Sequence, residues 1–97
     1  MPKYILSPEA KEKLKQIRNY TLKNYGKQQT KTYLRMLRDR MRKVAKQPDT
    51  LGTNRNDIKK GYYSVFAGKH TIYYRIRDTH IDIIDVLHQR MDPKKHL

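Results

Sequence analysis

Apolar positions in the first half of the chain recur with the period of a helix. One stripe follows Ser7-Pro8-Glu9, where serine is a good N-cap and proline fits the first helical position. It predicts a helix over about residues 8–25, ended by Gly26 in a left-handed C-terminal cap. A second stripe ends before Pro48 and predicts a helix over about residues 28–46. The stripes comprise Ala10, Leu14, Ile17 and Thr21, and then Thr30, Leu34, Leu37, Met41 and Val44.

The two predicted helices are separated only by the region of residues 25–27. Helices joined this closely should form an antiparallel hairpin with both apolar stripes facing a common third layer. The short apolar run Tyr4-Ile5-Leu6, just before the first helix, predicts an opening strand.

The second half of the chain changes to the period of a strand. Residues 47–57 are rich in Pro, Gly, Asn and Asp and predict an exposed loop. Beyond them, runs of β-branched and aromatic residues separated by tight turns predict an antiparallel meander within about residues 58–88. The three runs are residues 61–67, 70–77 and 80–88.

Alternation within the middle run predicts which side chains face the helices. Ile72, Tyr74 and Ile76 should face the helices, while the intervening residues, Arg75 and Arg77 among them, should point outward. In the last run both the odd- and the even-numbered positions are apolar, which places this strand in the middle of the sheet. The predicted fold is α+β, in the order β-α-α-β-β-β, with a helical hairpin packed on an antiparallel sheet. One domain spans residues 1–97 and ends in a polar tail, residues 89–97.

Composition adds two constraints. The length of 97 residues fits one small domain and excludes a two-domain enzyme. Leu, Ile, Val and Phe together number only 20, so we expect a marginal fold that a partner helps to stabilise. The formal net charge is +14, and residues 11–46 hold 13 of the cations against two acids. The partner should therefore be acidic, and both nucleic acid and an acidic protein qualify.

Several kinds of chemistry lack the residues they need. There is no cysteine, the four histidines show no metal-ligand spacing, and the glycines are too dispersed for a phosphate loop. We expect no cofactor and no metal, and the two serines give no sign of a hydrolase. The N-terminus lacks a signal-peptide core and no segment is apolar enough to span a membrane, so we expect a cytoplasmic protein.

A metal-independent ribonuclease remains open, because it needs only a base, an acid and cations around the phosphate. Alternatively, the arginines are solubilising and the histidine and tyrosines close the rim of the core. The residues that could supply the ribonuclease chemistry are Lys59, Tyr63, Tyr73, Arg75, Arg77 and His88.

The basic hairpin also has two interpretations, a surface for phosphates and a surface for an acidic protein segment. Its cations are too numerous for balancing ion pairs within the helices, which favours a functional surface. Few exposed aromatics and glycines interleave with the cations in the manner of single-strand binders, which favours protein over nucleic acid.

These segments together resemble a toxin of the RelE/ParE superfamily, specifically the ParE branch of bacterial toxin–antitoxin modules. The resemblance covers nearly the whole chain and rests on the order and spacing of several pieces. These are residues 4–10, Ile17 with Tyr20-Thr21, Gly26-Lys27-Gln28, residues 56–62, residues 70–75 and residues 86–92.

The resemblance implies a toxin that poisons DNA gyrase by trapping the enzyme on cleaved DNA, and that a ParD-like antitoxin neutralises. It implies inhibition by binding and not catalysis. The RelE branch, whose members cut messenger RNA on the ribosome, is the alternative. Those ribonucleases use basic, aromatic or histidine residues on the outer sheet face and at the C-terminus, whereas here His88 is followed by Gln89, the ParE-like form. A small basic module that binds nucleic acid non-specifically is the third hypothesis.

Site residues are assigned from their expected outward and basic positions. The candidates for target contact are Lys59, Tyr63, Arg75, Arg77, His88 and Arg90. In the ribonuclease alternative, Arg75, Arg77 and His88 become catalytic. The antitoxin is placed on the hairpin, against off-stripe residues that line a groove, namely Leu22, Tyr33, Met36 and Arg40.

Overall fold

The computed structural model describes residues 3–97, which form one five-stranded sheet and one long helical element. The elements in chain order are β1 (Lys3–Leu6), α1 (Pro8–Lys46), α2 (Pro48–Leu51), β2 (Thr53–Asn54), β3 (Tyr62–Ala67), β4 (His70–Ile76), β5 (His80–His88) and α3 (Pro93–His96). The α+β class is confirmed. No helix among residues 3–97 combines the length and the apolar character that crossing a membrane requires.

The helical element α1 is a hairpin of two arms. A continuous helix of 39 residues would be about 58 Å long, whereas the molecule extends only 37 Å along its longest axis. The break falls at Gly26, whose φ of 86° and ψ of 176° are open essentially only to glycine. The first arm therefore comprises residues 8–25 and the second arm residues 27–46, close to the predicted bounds.

Both ends of this hairpin lie at the same end of the sheet. The backbone N–H of Ser7 donates to the carbonyl of Ile83, and the Ser7 hydroxyl caps the first arm by accepting from the N–H of Ala10 at 3.0 Å. At the end of the second arm, Ala45 borders the same groove as Ile81. Since Ile81 and Ile83 are neighbours on β5, the two arms run antiparallel, as predicted.

The sheet has the strand order β1-β5-β4-β3-β2. Strands β2 to β5 pair antiparallel, as the meander predicted, but β1 pairs parallel with β5, from Lys3 opposite His80 to Leu6 opposite Ile83. The expected antiparallel sheet is thus a mixed sheet. The position of β5 between β1 and β4 explains why its side chains are apolar on both faces of the sheet.

Two predicted irregular segments contain short elements. The loop expected over residues 47–57 holds the helical turn α2 and the two-residue strand β2, which pairs with Tyr63 and Ser64. The tail over residues 89–97 contains α3, which the Asp92 carboxylate caps by accepting from the N–H of Lys94. Such short elements depend on pairing and capping more than on periodicity, so the pattern did not predict them.

The core lies between α1 and the inner face of the sheet. Leu37 and Met41 of the second arm are fully buried, together with Ile72, Tyr74 and Ile83 of the sheet. Burying an aliphatic side chain of this size contributes about 1.5 to 3 kcal/mol. The Tyr74 hydroxyl donates to the carbonyl of Pro48, and burial raises the Tyr74 pKa to about 12.

Part of the outer face of the sheet is also buried. Tyr73 and Leu87 lie outside the core between α1 and the sheet, yet they are only 3% and 1% exposed. Gln89 donates a hydrogen bond to Gly68 in the β3–β4 turn, whereas Leu97 borders a groove with Tyr62 at the opposite end of β3. Residues 89–97 therefore cross the outer face from one end to the other.

Candidate binding surfaces

One cluster of cations lies around Tyr62 on the outer sheet face. Tyr62 stands directly opposite Arg75 in the β3–β4 register. The Arg75 guanidinium carbon and the Lys59 Nζ each lie 6.0 Å from the centroid of the Tyr62 ring. Both cations therefore lie at the outer limit of cation–π attraction to the same ring. Two of the predicted target-contact residues are thus brought together.

Arg77 is held by an ion-pair network next to this cluster. Its Nε donates to Asp82 Oδ2 at 2.7 Å, and His80 Nε2 lies 2.9 Å from the other carboxylate oxygen. The hydrogen bond from Arg77, assisted by His80, lowers the pKa of Asp82 below its usual value. Because Asp82 stands opposite Arg75 in the β4–β5 register, Arg77 belongs to the same surface.

This basic surface opens onto a groove of about 610 Å³. The groove lies between the first residues of the hairpin and the end of the tail. Its lining includes Arg75, Arg77 and Asp82, together with His96 and Leu97 of the tail. The cations Lys59, Arg75 and Arg77, with this groove beside them, are called the sheet-end surface below.

Tyr63 and His88 lie elsewhere. Tyr63 is on the inner side of the sheet, where its ring stacks on Tyr74 with centroids 5.6 Å apart, so its expected outward position is wrong. His88 stands opposite His70 at the far end of β4, and the rings of these two histidines meet edge to face at 5.4 Å. Arg90, two residues after His88, donates its backbone N–H to Nδ1 of that histidine.

The three residues of the ribonuclease alternative are consequently not brought together. His88 pairs with His70, five residues along β4 from Arg75, which corresponds to about 17 Å. The side chains of Arg75 and His88 also occupy opposite faces of the sheet, because Arg75 faces outward with Tyr62 whereas His70 and His88 lie on the side of the second arm. No single phosphate could contact this set.

A tyrosine–histidine pair that the sequence did not reveal lies at the far end. The Tyr33 hydroxyl is 2.6 Å from Nδ1 of His70, and the backbone N–H of Lys69 donates to the same hydroxyl. Burial, and then the neighbouring His88, lower the pKa of His70 to about 4. Burial also raises the pKa of Tyr33. These residues are 37 positions apart, so no local pattern could have indicated the contact.

Three of the four residues assigned to the antitoxin contact the β3–β4 hairpin. Tyr33 binds at Lys69 and His70, while Arg40 Nε donates to the carbonyl of Phe66 at 3.1 Å. A Cβ atom placed on Gly68 would lie 2.7 Å from Met36 Cε, which shows how closely the turn packs against the second arm. All three side chains remain half-buried.

Leu22, the fourth of these residues, lies in a different environment. It is 40% exposed on the first arm, near the tip of the hairpin. Tyr20 and Tyr25 are 62% and 58% exposed in the same region. Both tyrosines lie off the apolar stripe of the predicted helix, which is the signal in the sequence for their exposure.

Comparison with known proteins decides the family. The family model described as the ParE toxin of type II toxin–antitoxin system, parDE, matches residues 4–93. The chain belongs to the ParE toxin family. Toxin ParE1 of Mycobacterium tuberculosis is 38% identical over 96 residues, covering 98% of this chain and 97% of the relative. Toxin ParE1 of Caulobacter vibrioides is 33% identical over 97 residues, covering 100% and 99%.

Solved structures share the fold. A chain of the chromosomal ParDE TA system from P. aeruginosa superposes with a TM-score of 0.76 at 12% identity, covering 91% of this chain and 95% of that one. A chain of the toxin–antitoxin complex RelBE2 from Mycobacterium tuberculosis gives a TM-score of 0.65 at 18% identity, covering 92% and 100%. The hairpin-on-sheet architecture is therefore shared with chains of a ParDE and of a RelBE2 structure.

Proposed function

We propose that this ParE-family toxin inhibits DNA gyrase by binding and stabilising the cleaved-DNA complex in the cytoplasm. The observation that carries the proposal is the family match, which extends over nearly the whole chain. Toxicity then depends on binding alone. The separation of Arg75 from His88 supports this view, because it leaves the predicted ribonuclease set unassembled.

The sheet-end surface is the proposed contact with the target. It presents three cations around Tyr62 and Asp82, and the pairing of Arg77 with Asp82 fixes part of it in advance. Side chains that are already positioned lose less conformational entropy on binding. Arg90, which is exposed in the tail, remains a candidate, whereas Tyr63 on the inner side of the sheet and His88 at the far end of β4 lie outside this surface.

The hairpin is the proposed site of a ParD-like antitoxin. The exposed cations of its first arm favour an acidic segment, and Leu22 with its exposed tyrosine neighbours offers apolar contact at the tip. Tyr33, Met36 and Arg40 border the contact, here called the seam, between the second arm and the β3–β4 hairpin. The related ParDE and RelBE2 structures are both toxin–antitoxin systems, which supports a protein antitoxin.

The test uses toxin freed of antitoxin and divided between two assays. In the first, toxin is incubated with gyrase, supercoiled plasmid and ATP. In the second, it is added to a translating ribosome extract that contains labelled message. We expect linear, protein-linked plasmid and intact message. Cleaved message with untouched plasmid would overturn the proposal and move the chain to the ribonuclease branch.

A pair of variants locates the target surface. Arg75→Gln removes a cation of the sheet-end surface and should lower plasmid cleavage about tenfold, the effect of losing one charged contact of about 1.4 kcal/mol. Arg18→Gln removes an exposed cation from the first arm and should leave cleavage unchanged. Equal effects of both variants would show that only total charge matters.

A further inference from the structure

A line of exposed cations runs along one flank of the second arm. Its members are Lys31, Arg35, Arg38 and Arg42, here called the arginine stripe. Successive members are four, three and four residues apart, so they lie on one side of the helix and about 5 Å apart along its axis. The stripe is about 17 Å long. The buried residues of the same arm, such as Leu37 and Met41, occupy a different face.

The cations of the stripe are mostly without anionic partners. Arg42 pairs with Asp39 at 2.6 Å, but Lys31, Arg35 and Arg38 form no salt bridge with any carboxylate among residues 3–97. Their long side chains border a shallow groove of about 480 Å³. Like charges held this close repel each other, so an anionic ligand would be favoured there.

The chemistry of the stripe favours phosphate over a protein carboxylate surface. A bound protein segment needs buried apolar anchors, and the exposed apolar side chains of the hairpin, Tyr20, Leu22 and Tyr25, lie on the first arm near the tip. The stripe itself offers only the half-buried Leu34. Arginine binds phosphate bidentately through its planar fork, and three of the four cations are arginines.

The shape of the second arm favours a DNA duplex among phosphate polymers. Single strands are held by exposed aromatic side chains on which bases stack, and the stripe has none. A helix is about 10 to 12 Å across, which the major groove of B-form DNA, about 12 Å wide, accommodates. The deep and narrow major groove of an RNA duplex does not admit it.

We propose that the arginine stripe of the second arm binds the phosphate backbone of duplex DNA. The inference goes beyond the proposed function, because binding to bare duplex requires neither gyrase nor a cleaved strand. Three to four phosphate contacts give a salt dependence of log K on log salt with a slope of about −3. The stripe positions the protein on DNA without reading the base sequence.

The experiment measures binding of the free toxin to a labelled duplex of about 20 base pairs by fluorescence anisotropy, between about 50 and 200 mM salt. Arg35→Gln combined with Arg38→Gln removes two exposed cations from the stripe. This variant should reduce the slope by about 2 and weaken binding at least tenfold at about 50 mM salt. The matched control, Lys11→Gln with Lys15→Gln, removes the same charge from exposed positions of the first arm and should keep the slope.

Other outcomes overturn the proposal. Equal losses of DNA affinity in the two double variants would show that DNA is attracted by the net charge of the protein alone. Tighter binding of an RNA duplex or of oligo(dT), or binding of a polyglutamate peptide in place of DNA, would assign another ligand. Circular dichroism and thermal melting of each variant verify that it is folded. If the toxin traps gyrase but does not bind duplex DNA, DNA binding by the stripe would be refuted while the proposed function stays intact.

Discussion

The Tyr33 hydroxyl lies within hydrogen-bond distance of Nδ1 of His70, at 2.6 Å. The backbone N–H of Lys69 donates to the same hydroxyl oxygen at 3.0 Å. Burial lowers the pKa of His70 to about 4 and so keeps this ring neutral near pH 7, next to the ring of His88. The contact of Tyr33 with His70 ties the second arm to the β3–β4 turn.

The first prediction concerns how the free energy of unfolding depends on pH. The pKa of His70 falls from an ordinary 6.5 to about 4 in the folded chain, so the unfolded chain binds the proton more tightly. The contribution of His70 is complete above pH 6.5 and is lost as the pH falls toward 4. We expect a loss of about 1 to 2 kcal/mol for this half-buried group. Urea unfolding at a series of pH values measures it.

The control for this prediction removes the titrating group. In His70→Gln the decline between pH 6.5 and 4 should be smaller than in the parent chain. Tyr33→Phe should weaken the pH dependence less, because burial of the ring remains. A decline of equal size in His70→Gln would assign the effect to other groups.

Local signals in the sequence predicted the helical hairpin well. Ser7 caps the first arm and Gly26 adopts a positive φ, as their residue types indicated. Both features depend on residues within a turn of each other. The alternation in β4 likewise placed Ile72 and Tyr74 correctly in the core.

Features that depend on distant contacts were not predictable in this way. A register shift between Tyr73 and Tyr74 alters the pairing of β4 with β5, and no residue type marks it. The tail is polar in sequence, yet it crosses the outer face, a face expected to be open, where Tyr73 and Leu87 are buried. The inward position of Tyr63 follows from pairing with Tyr74 across β3 and β4, which only the register defines.

The second prediction separates lack of space from backbone strain at two glycines. Gly52 has φ −91°, which any residue adopts, but an added Cβ would collide with the Tyr74 hydroxyl and lie 2.7 Å from its Cζ. Gly26 has φ 86°, and a Cβ added there would have no neighbouring atom within 4 Å. Gly52→Ala should cost about 2 to 4 kcal/mol and Gly26→Ala about 1 to 3 kcal/mol, as measured by urea unfolding.

A double variant distinguishes the two mechanisms. Removing the Tyr74 hydroxyl makes room beside position 52, so Tyr74→Phe should offset part of the cost of Gly52→Ala. The same change should not offset the cost of Gly26→Ala, because that strain lies in the backbone. Additive costs in both combinations would contradict the steric explanation.

The third prediction compares a buried ion pair with an exposed one. Asp85 is 4% exposed, accepts the N–H of Val86 at 2.8 Å and lies 3.4 Å from Lys13 Nζ. Lys13→Met would leave this carboxylate buried without its cation and should cost about 1 to 3 kcal/mol in the free energy of unfolding. Arg42→Met, which breaks the exposed pair with Asp39, should cost less than about 0.5 kcal/mol. A negligible loss in Lys13→Met would mean that water replaces the lysine.

The fourth prediction tests the proposed antitoxin contact at Leu22. Substituting Tyr33, Met36 or Arg40 disturbs the seam with the β3–β4 hairpin as well as any partner, so those variants cannot separate binding from stability. Leu22 is 40% exposed on the first arm, and Leu22→Ser should leave the melting temperature within a few degrees. If an antitoxin buries this side chain, the variant should bind the antitoxin about tenfold to a hundredfold more weakly. This loss corresponds to about 1.5 to 3 kcal/mol, the contribution of one buried leucine.

The matched control for Leu22 is Ile76→Ser, which removes a similar side chain that is 37% exposed at the end of β4. Calorimetric titration with the cognate antitoxin should show weakened binding for Leu22→Ser and parent-like binding for Ile76→Ser. Because plasmid cleavage with gyrase is assigned to the sheet-end surface, Leu22→Ser should retain it. The variant would then be toxic and poorly neutralised, whereas loss of cleavage together with antitoxin binding would show that the two partners share the tip of the hairpin.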